Sequence, residues 1–427
     1  MERFLLLVYC GDVMNGGEQE ALTSPDASMW KGFYFFIGFV IIGGFAIQAT
    51  SSFPGLQQYN QNSPLISELE LAFVGSEIID IEYYDSDWEH SHIAIIENSI
   101  GERILYDQSS SGTDGVSLIA RTGMGTINAE NLTTILEFKD DIFWISDAPG
   151  KLTRVELGES FTTVSFDDEL GISNFVDISL SFDDENKMLL LTRKGSNSEV
   201  WGSSSEGLFK VENDHTGVNW LDAEPISPNH WVITGISTPS FSESGNSPAT
   251  PTQRGVIGIV TFEDSNPFIE IIETTDTTVH SIESFSQGVV VSTEDQFWYF
   301  ENKDEFHNHA IISAKSQVDS DGIVWFFSEG EFEYLQRYDT STDSLDVVET
   351  SGKFNLYPLF SSATKTHVFI HGTDGFGEDS FISMDLTYAK SLQSGRGFLN
   401  WAFMMGGSAM LVILGMFTLR GISGEEF

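Results

Sequence analysis

Nine histidines are set in a chain that carries 64 Asp and Glu against 20 Lys and Arg, a formal net charge of −44. Three histidine pairs have the spacing of metal half-sites. His90-Ser91-His92 and His307-Asn308-His309 each put two imidazoles on one face of a strand, because strand side chains alternate. His367 and His371 also share a face at their four-residue spacing. Two imidazoles on one strand face are completed to a divalent-metal site by a His or carboxylate from elsewhere. The competing reading is a polar rim whose ring nitrogens are hydrogen-bonded. Asp319-Ser320-Asp321-Gly322 has the opening of a Ca²⁺ loop, alternate Asp with a Gly for the sharp turn, and lacks the later Glu ligand. Asp339, Asp343, Asp346 and the run Asp183-Asp184-Glu185 fall in or beside hairpin turns, where Asp is favoured for local hydrogen bonding. The candidate metal residues are therefore His90, His92, His307, His309, Asp319 and Asp321, and the ions implied are Ca²⁺ or a His-ligated divalent metal. No Ser/His/Asp arrangement, phosphate-binding glycine loop or Cys/His zinc spacing is present, so no catalytic or cofactor-binding residue is assigned.

The elements that position these residues are short strands at a regular beat. Val318 to Thr350 holds an Asp/Gly turn, an apolar strand (Ile323 to Phe327), a second strand ending at Arg337-Tyr338, a polar turn, and a third strand (Leu345 to Val348). That is an antiparallel meander of propeller-blade size. Apolar strands begin at His92, Ile142, Met188, Trp231, Val289, Ile323 and His367, with intervals of 50, 46, 43, 58, 34 and 44 residues. Several are apolar on both faces, as strands packed between neighbouring blades must be. The 58-residue interval contains the Ser/Pro/Thr-rich stretch 238–253. The spacing predicts an all-β, seven-bladed propeller. Six blades result if Val289–Ser292 and Gln296–Phe300 are one hairpin.

Asp321-Gly322-Ile323-Val324-Trp325-Phe326, followed by Arg337-Tyr338-Asp339-Thr340-Ser341-Thr342, resembles the blade pattern of streptogramin-lyase-like and sensor-type propellers. Phe143 to Val155 is similar to it, and Asp295-Gln296-Phe297-Trp298 echoes the Asp-to-Trp step. The resemblance implies the propeller fold and no one family. No lyase catalytic residue finds a matching position, and the fold hosts enzymes, sensors and docking platforms alike.

The charge balance excludes whole classes of partner. Between Ser51 and Gly395 lie 57 acidic and 16 basic residues, a net −41 that repels phosphate backbones and rules against nucleic-acid binding. A solvated carboxylate surface suits a salty medium; recruitment of Ca²⁺ or of a basic partner is the sharper alternative. With Cys10 the only cysteine, no intrachain disulfide can form. Asn131-Leu132-Thr133 is a glycosylation sequon compatible with an external location.

Two uncharged apolar stretches flank the strands. Residues 32–50 and 398–419 are each long enough for a transmembrane helix, since about 20 residues cross the ~30 Å hydrocarbon core. A cleaved signal peptide is the alternative for the first. Gly43-Gly44, Gly406-Gly407 and the Ala402/Gly406 spacing permit close helix approach. The expected order is a short cytoplasmic tail (1–31), helix 1 (32–50), linker (51–64), propeller ectodomain (65–388), linker (389–397), helix 2 (398–419) and a cytoplasmic tail (420–427). Residues 65–74 are expected to pair with the C-terminal strand 380–386 and close the ring. The function expected is that of a membrane-anchored, extracytoplasmic docking module for a protein, glycan or ion, with the lipid bilayer and a protein as partners. The rival readings are an accessory subunit of a membrane complex, and a metal-assisted hydrolase or lyase acting in the channel.

Overall fold

The computed structural model describes residues 34–41, 56–60 and 77–387, apart from internal stretches of which the longest are 109–115, 118–131 and 238–252, and residues 403–413 and 416. The chain divides into two units, Pro54–Thr387 and a unit formed by Met1–Phe53 with Tyr388–Phe427. Cys10, the sequon at Asn131 and the run 183–185 lie outside the described residues, as does most of the loop 238–253.

The larger unit starts with β1 (Leu56–Asn60). Five four-stranded antiparallel meanders follow in chain order. The first is β2 (Glu77–Tyr83), β3 (His92–Glu97), β4 (Arg103–Gln108) and β5 (Val116–Ser117). The second is β6 (Ile135–Lys139), β7 (Ile142–Ala148), β8 (Lys151–Glu156) and β9 (Phe161–Ser165). The third is β10 (Asn174–Leu180), β11 (Met188–Lys194), β12 (Asn197–Ser204) and β13 (Gly207–Lys210). The fourth is β14 (Val218–Ser227), β15 (His230–Ser237), β16 (Arg254–Thr261) and β17 (Phe268–Thr275). The fifth is β18 (Val279–Phe285), β19 (Gly288–Thr293), β20 (Gln296–Phe300) and β21 (Phe306–Ala310). The remaining strands are β22 (Lys315–Val318), β23 (Ile323–Phe327), β24 (Gly330–Asp339), β25 (Ser344–Ala363), β26 (His367–Thr373) and β27 (Asp379–Asp385). They join β1 in one seven-stranded sheet, ordered β1-β27-β26-β25-β24-β23-β22. The 20-residue β25 is shared within it: Ser344–Glu349 and Phe354–Leu356 pair with β24, whereas Tyr357–Ala363 pair with β26. Successive meanders whose first and last strands meet are a β-propeller.

The seven apolar strands found by spacing are β3, β7, β11, β15, β19, β23 and β26. Each is the second strand of its meander, one place out from the centre, and is packed on both faces by neighbouring sheets. Leu189 and Leu191 of β11, for example, share a core with Trp220, Trp231 and Ile233 of the next sheet. Burying each such side chain contributes about 1.5–3 kcal/mol, which replaces any need for disulfides. The meander read from Val318 to Thr350 is present as β22 to the first half of β25. Val289–Ser292 and Gln296–Phe300 do form a hairpin, but it is completed by β18 and β21 into a sheet of its own, separate from β22–β24, so the hairpin does not lower the number of sheets.

The ring closes through the N-terminal end, but with a different segment from the one expected. Leu56–Asn60 pairs antiparallel with Ser380–Met384, and residues 65–74 lie outside the described residues. The closing strand therefore falls inside the stretch 51–64 expected as linker. Its sequence, Leu-Gln-Gln-Tyr-Asn, has no apolar alternation; Leu56 is buried and Tyr59 packs against the core. The polar residues bond instead: Gln58 Nε2 donates to Asn355 O at 2.8 Å and to Ser380 Oγ at 2.9 Å.

In the smaller unit, residues 34–41 and 403–413 are helical. Phe39 stacks on Phe403 with centroids 5.2 Å apart, and a Cβ added at Gly406 would stand 3.1 Å from Phe39 Cζ. The glycine thus makes room for the ring, as its place in the sequence suggested. Among the described residues no helix is long and apolar enough to cross a membrane. The helical pieces measure roughly 12 and 16 Å at 1.5 Å per residue, short of the span expected for 32–50 and 398–419. The remainder of both stretches lies outside the described residues.

Candidate functional site in the central channel

The strands β2, β6, β10, β14, β18, β22 and the second half of β25 line a central cavity of about 990 Å³. Their sequences look amphipathic, yet the polar face points to the channel and not to the outer surface. A bulge in six of these strands sets that direction. Ile79, Leu136, Val176, Leu221, His280 and Leu359 are extra residues opposite their second-strand partners. A bulge re-aims the following side chain. The residues after it are Asp80, Glu137, Asp177 and Asp222, then Ser281 and Phe360. Two positions on, and so on the same face, stand Glu82, Lys139, Glu224, Glu283 and Ser362.

Among the described residues, nine carboxylates and three lysines line the cavity. Lys365 is held by Asp85 at 3.3 Å. Asp319 accepts from the Asp321 and Ile323 amides at 2.9 and 3.0 Å and from Trp325 Nε1 at 2.8 Å. Among the described residues, the cations lining the cavity with the other seven carboxylates are Lys139 and Lys315. Asp80 is 9 % exposed and the other six are half-buried, opening onto channel space and not packed protein.

Two of the seven also fasten the ring. Asp80 accepts from Ile81 N at 2.9 Å and from Ile135 N of the next sheet at 2.7 Å. Asp177 accepts from Ala223 N across the following gap at 2.9 Å. Serines do the same work farther round: Ser281 Oγ donates to Ser316 O at 2.9 Å, and Tyr83 N donates to Ser362 Oγ at 3.0 Å.

Crowding shows in the protonation equilibria. Burial pushes Asp80 up to about 6 against the pull of its two amide donors. Burial, then the charge of Asp80, pushes Glu82 up to about 8. Burial raises Asp222 to about 6, opposed by Lys315, and raises Glu224 to about 8, supported by Asp222. Glu137, Asp177 and Glu283 are held well above the usual carboxylate range, again first by burial and then by neighbouring carboxylates. Asp177 and Asp222, on adjacent inner strands, act on each other's protonation.

The residues singled out as metal candidates are not brought together. His307 and His309 sit on β21, an outermost strand, near Glu301 at 3.6 Å and Asp343 at 3.3 Å respectively. Asp319 closes the turn that β23 leaves from, its carbonyl accepting from Gly322 N at 3.0 Å and its N–H donating to Ile323 O at 2.9 Å. His90 and His92 are buried where the β2–β5 sheet packs against the closing sheet, with His367 and His371. There Tyr83 Oη lies 2.7 Å from His371 Nε2, and the Tyr83 ring is stacked on Phe369 at 3.8 Å. Glu89 reaches His90 Nε2 at 3.2 Å and His367 Nε2 at 3.7 Å. Burial lowers His92 to about 4 and His371 to about 3, so both are neutral at physiological pH. Among the described residues no three His, Cys, Asp or Glu side chains stand positioned to hold one metal ion.

The channel carboxylates were not singled out from the sequence, although a signal exists. Ile78-Ile79-Asp80-Ile81, Ile135-Leu136-Glu137-Phe138, Phe175-Val176-Asp177-Ile178 and Trp220-Leu221-Asp222-Ala223 repeat one pattern, two apolar residues, an acid and an apolar residue, shortly before each apolar strand.

No family model matches the chain, and no curated protein sequence does. Solved structures similar to it include one described as YCF48 bound to D1 peptide, 12% identical, covering 78% of this chain and 98% of that chain at a TM-score of 0.43. The β-propeller domain of Cps50 (Swd1) from Myceliophteria thermophila is 10% identical, covering 69% and 92% at a TM-score of 0.42. A chain of a mitotic checkpoint complex is 9% identical, covering 78% and 92% at 0.47. At such identities and scores the likeness carries no argument about activity, and the propeller assignment rests on strand order and register.

Proposed function

We propose that the chain is a docking module: a seven-bladed propeller, counting the two halves of β25 as strands of separate blades, whose channel receives part of a binding partner. One observation carries the reading: a cavity of about 990 Å³ lined by seven carboxylates that the protein's own lysines do not match. Docking platforms are among the roles that the propeller fold hosts. The two apolar terminal stretches support anchorage of the propeller at the outer face of a membrane, with both termini inside. A photo-crosslinking residue at Leu359, on the channel wall, tests the docking reading in native membranes. A partner adduct at Leu359 and none at Asp304, on an outer turn, is the expected result; equal labelling at both positions removes the channel as the docking site.

A hydrolase or lyase is the second reading, favoured by the neighbouring channel carboxyls Asp177 and Asp222, both held above the usual carboxylate range, since a carboxyl pair with split protonation can act as acid and base. Metal binding is a separate proposal that rests on Glu89 standing between His90 and His367. The exposed Glu89 side chain can re-aim without disturbing the core. Elemental analysis of the purified chain decides it: a metal-free chain whose melting is unchanged by chelator removes both the histidine site and the Ca²⁺ reading of Asp319 and Asp321.

A further inference from the structure

We propose that the channel binds a linear oligocation, an extended chain carrying two or more ammonium or guanidinium groups; this rests on the docking reading above and names its ligand class. The source is either a free polyamine or a Lys/Arg-rich segment of a partner protein, and the chemistry recognised is the same.

Charge gives the sign of the ligand, and geometry gives its shape. The seven carboxylates stand in two tiers, Asp80, Glu137, Asp177 and Asp222 in one, Glu82, Glu224 and Glu283 in the other. Residues two apart on a strand are about 6.7 Å apart along it. Among the described residues no three carboxylates stand positioned to hold one metal ion, whereas a chain with cationic groups several bonds apart can engage both tiers. The cavity of about 990 Å³ is of the size that holds a drug-sized molecule or a short peptide segment. Phe138, Phe182, Phe285 and Phe360 lie among the acids and offer apolar surface to methylene spacers. At Phe182 the protein already shows the contact, with Lys139 Nζ 5.5 Å from the ring centroid.

An observation independent of the acids points the same way. Gln317 lines the channel and is only 5 % exposed. Its Nε2 donates to Glu283 Oε2 at 3.0 Å and to Val318 O at 3.4 Å, while its Oε1 accepts from nothing. A buried acceptor without a donor is costly, and a turn of the Gln317 amide toward the channel would present it to an N–H of a ligand ammonium or guanidinium. Lys315 does not: its Nζ is turned to His280 O at 3.2 Å.

Calorimetry on the full-length chain in detergent micelles tests the proposal, in about 0.5 M NaCl to screen the surface carboxylates. The probes are spermidine, tetralysine, butylamine and calcium chloride. Spermidine or tetralysine is expected to bind once per chain, at least tenfold more tightly than butylamine or Ca²⁺. Binding should tighten from pH 6 to pH 8 and release protons, read from two buffers of different ionisation heat. Asp222→Asn with Glu224→Gln should weaken it at least tenfold and Gln317→Leu severalfold, with Asp304→Asn unchanged. Proton release by the unaltered chain keeps the test decisive if the double variant misfolds. Preference for spermidine assigns a free polyamine, and preference for tetralysine a partner segment. Butylamine binding as tightly as spermidine and tetralysine, Ca²⁺ binding more tightly than either, or affinity indifferent to Asp222, Glu224 and Gln317 would overturn the proposal. If those outcomes coincide with a Leu359 adduct, docking stands and only the ligand class falls.

Discussion

At the scale of single residues, the channel acids link pH to stability in an unusual direction. In the unfolded chain Asp and Glu lose their protons near pH 4. In the folded chain Asp80 and Asp222 hold theirs to about 6, and Glu82 and Glu224 to about 8. Folded values above unfolded ones mean stability that is full below pH 4 and lost as pH rises through 6 and 8. The melting temperature of the ligand-free chain should therefore fall between pH 5 and pH 8.5, and Glu224→Gln should flatten the fall and melt higher at pH 8.5. A profile that rises over that interval would show these acids to be ionised without penalty. Such behaviour was not readable from composition, because an Asp on a strand with apolar neighbours reads as a solvent-facing residue of an ordinary half-buried strand. Only the bulge before Asp80, Glu137, Asp177 and Asp222 turns that face to the centre, and a bulge leaves no mark in a single sequence beyond the repeated acid itself.

Among the elements, the seam between the first and last strands differs from its counterparts. It is built from Tyr59 of β1, Tyr83 of β2, His92 of β3, Tyr106 of β4, His367, Phe369 and His371 of β26 and Phe381 of β27, with His90 and Glu89 at its edge. Burial keeps His92 and His371 neutral, with folded values near 4 and 3. The unfolded imidazole takes its proton near pH 6.5, so this seam loses stability as pH falls from about 6.5 toward 4. Amide hydrogen exchange in β1 and β27 should accelerate over that range before exchange in β11 or β15 does. His371→Gln, which keeps a partner for Tyr83 Oη and does not titrate, should shift the acceleration to lower pH. Uniform exchange across all sheets would remove the seam as the weak point. Register offers a second test here. Gln57 stands opposite Ser383, within the Cα separation a disulfide accepts, so Gln57→Cys with Ser383→Cys should crosslink within one chain, and deletion of 56–60 should cause aggregation. The apolar second strands were legible because both their faces are packed. β1 was not, because a closing strand that is held by main-chain and amide bonds needs little apolar surface.

For the molecule as a whole, the charge of −44 sets a salt dependence. Like charges destabilise the compact state, and screening shortens their reach to about 3 Å at 1 M salt. Melting at pH 7 should rise steadily with NaCl; a melting temperature independent of salt would mean that the surface charge is already matched. Sidedness is tested by adding protease to intact cells: an external propeller loses the region 51–395 and keeps both tails, and full protection places it inside. Ring closure has a further consequence in time. Tyr59 and Ser380, joined by a 2.8 Å bond, are 321 residues apart. At 5–20 residues per second a ribosome needs on the order of 15 to 60 s to make the intervening chain. For that interval β1 waits without its partner strand, and the sheets that form meanwhile leave one edge open. A waiting strand rich in Val and Ile would pair with a stranger. Leu-Gln-Gln-Tyr-Asn does not, and the polarity that hides this strand in the sequence is what lets the nascent chain afford so long a delay.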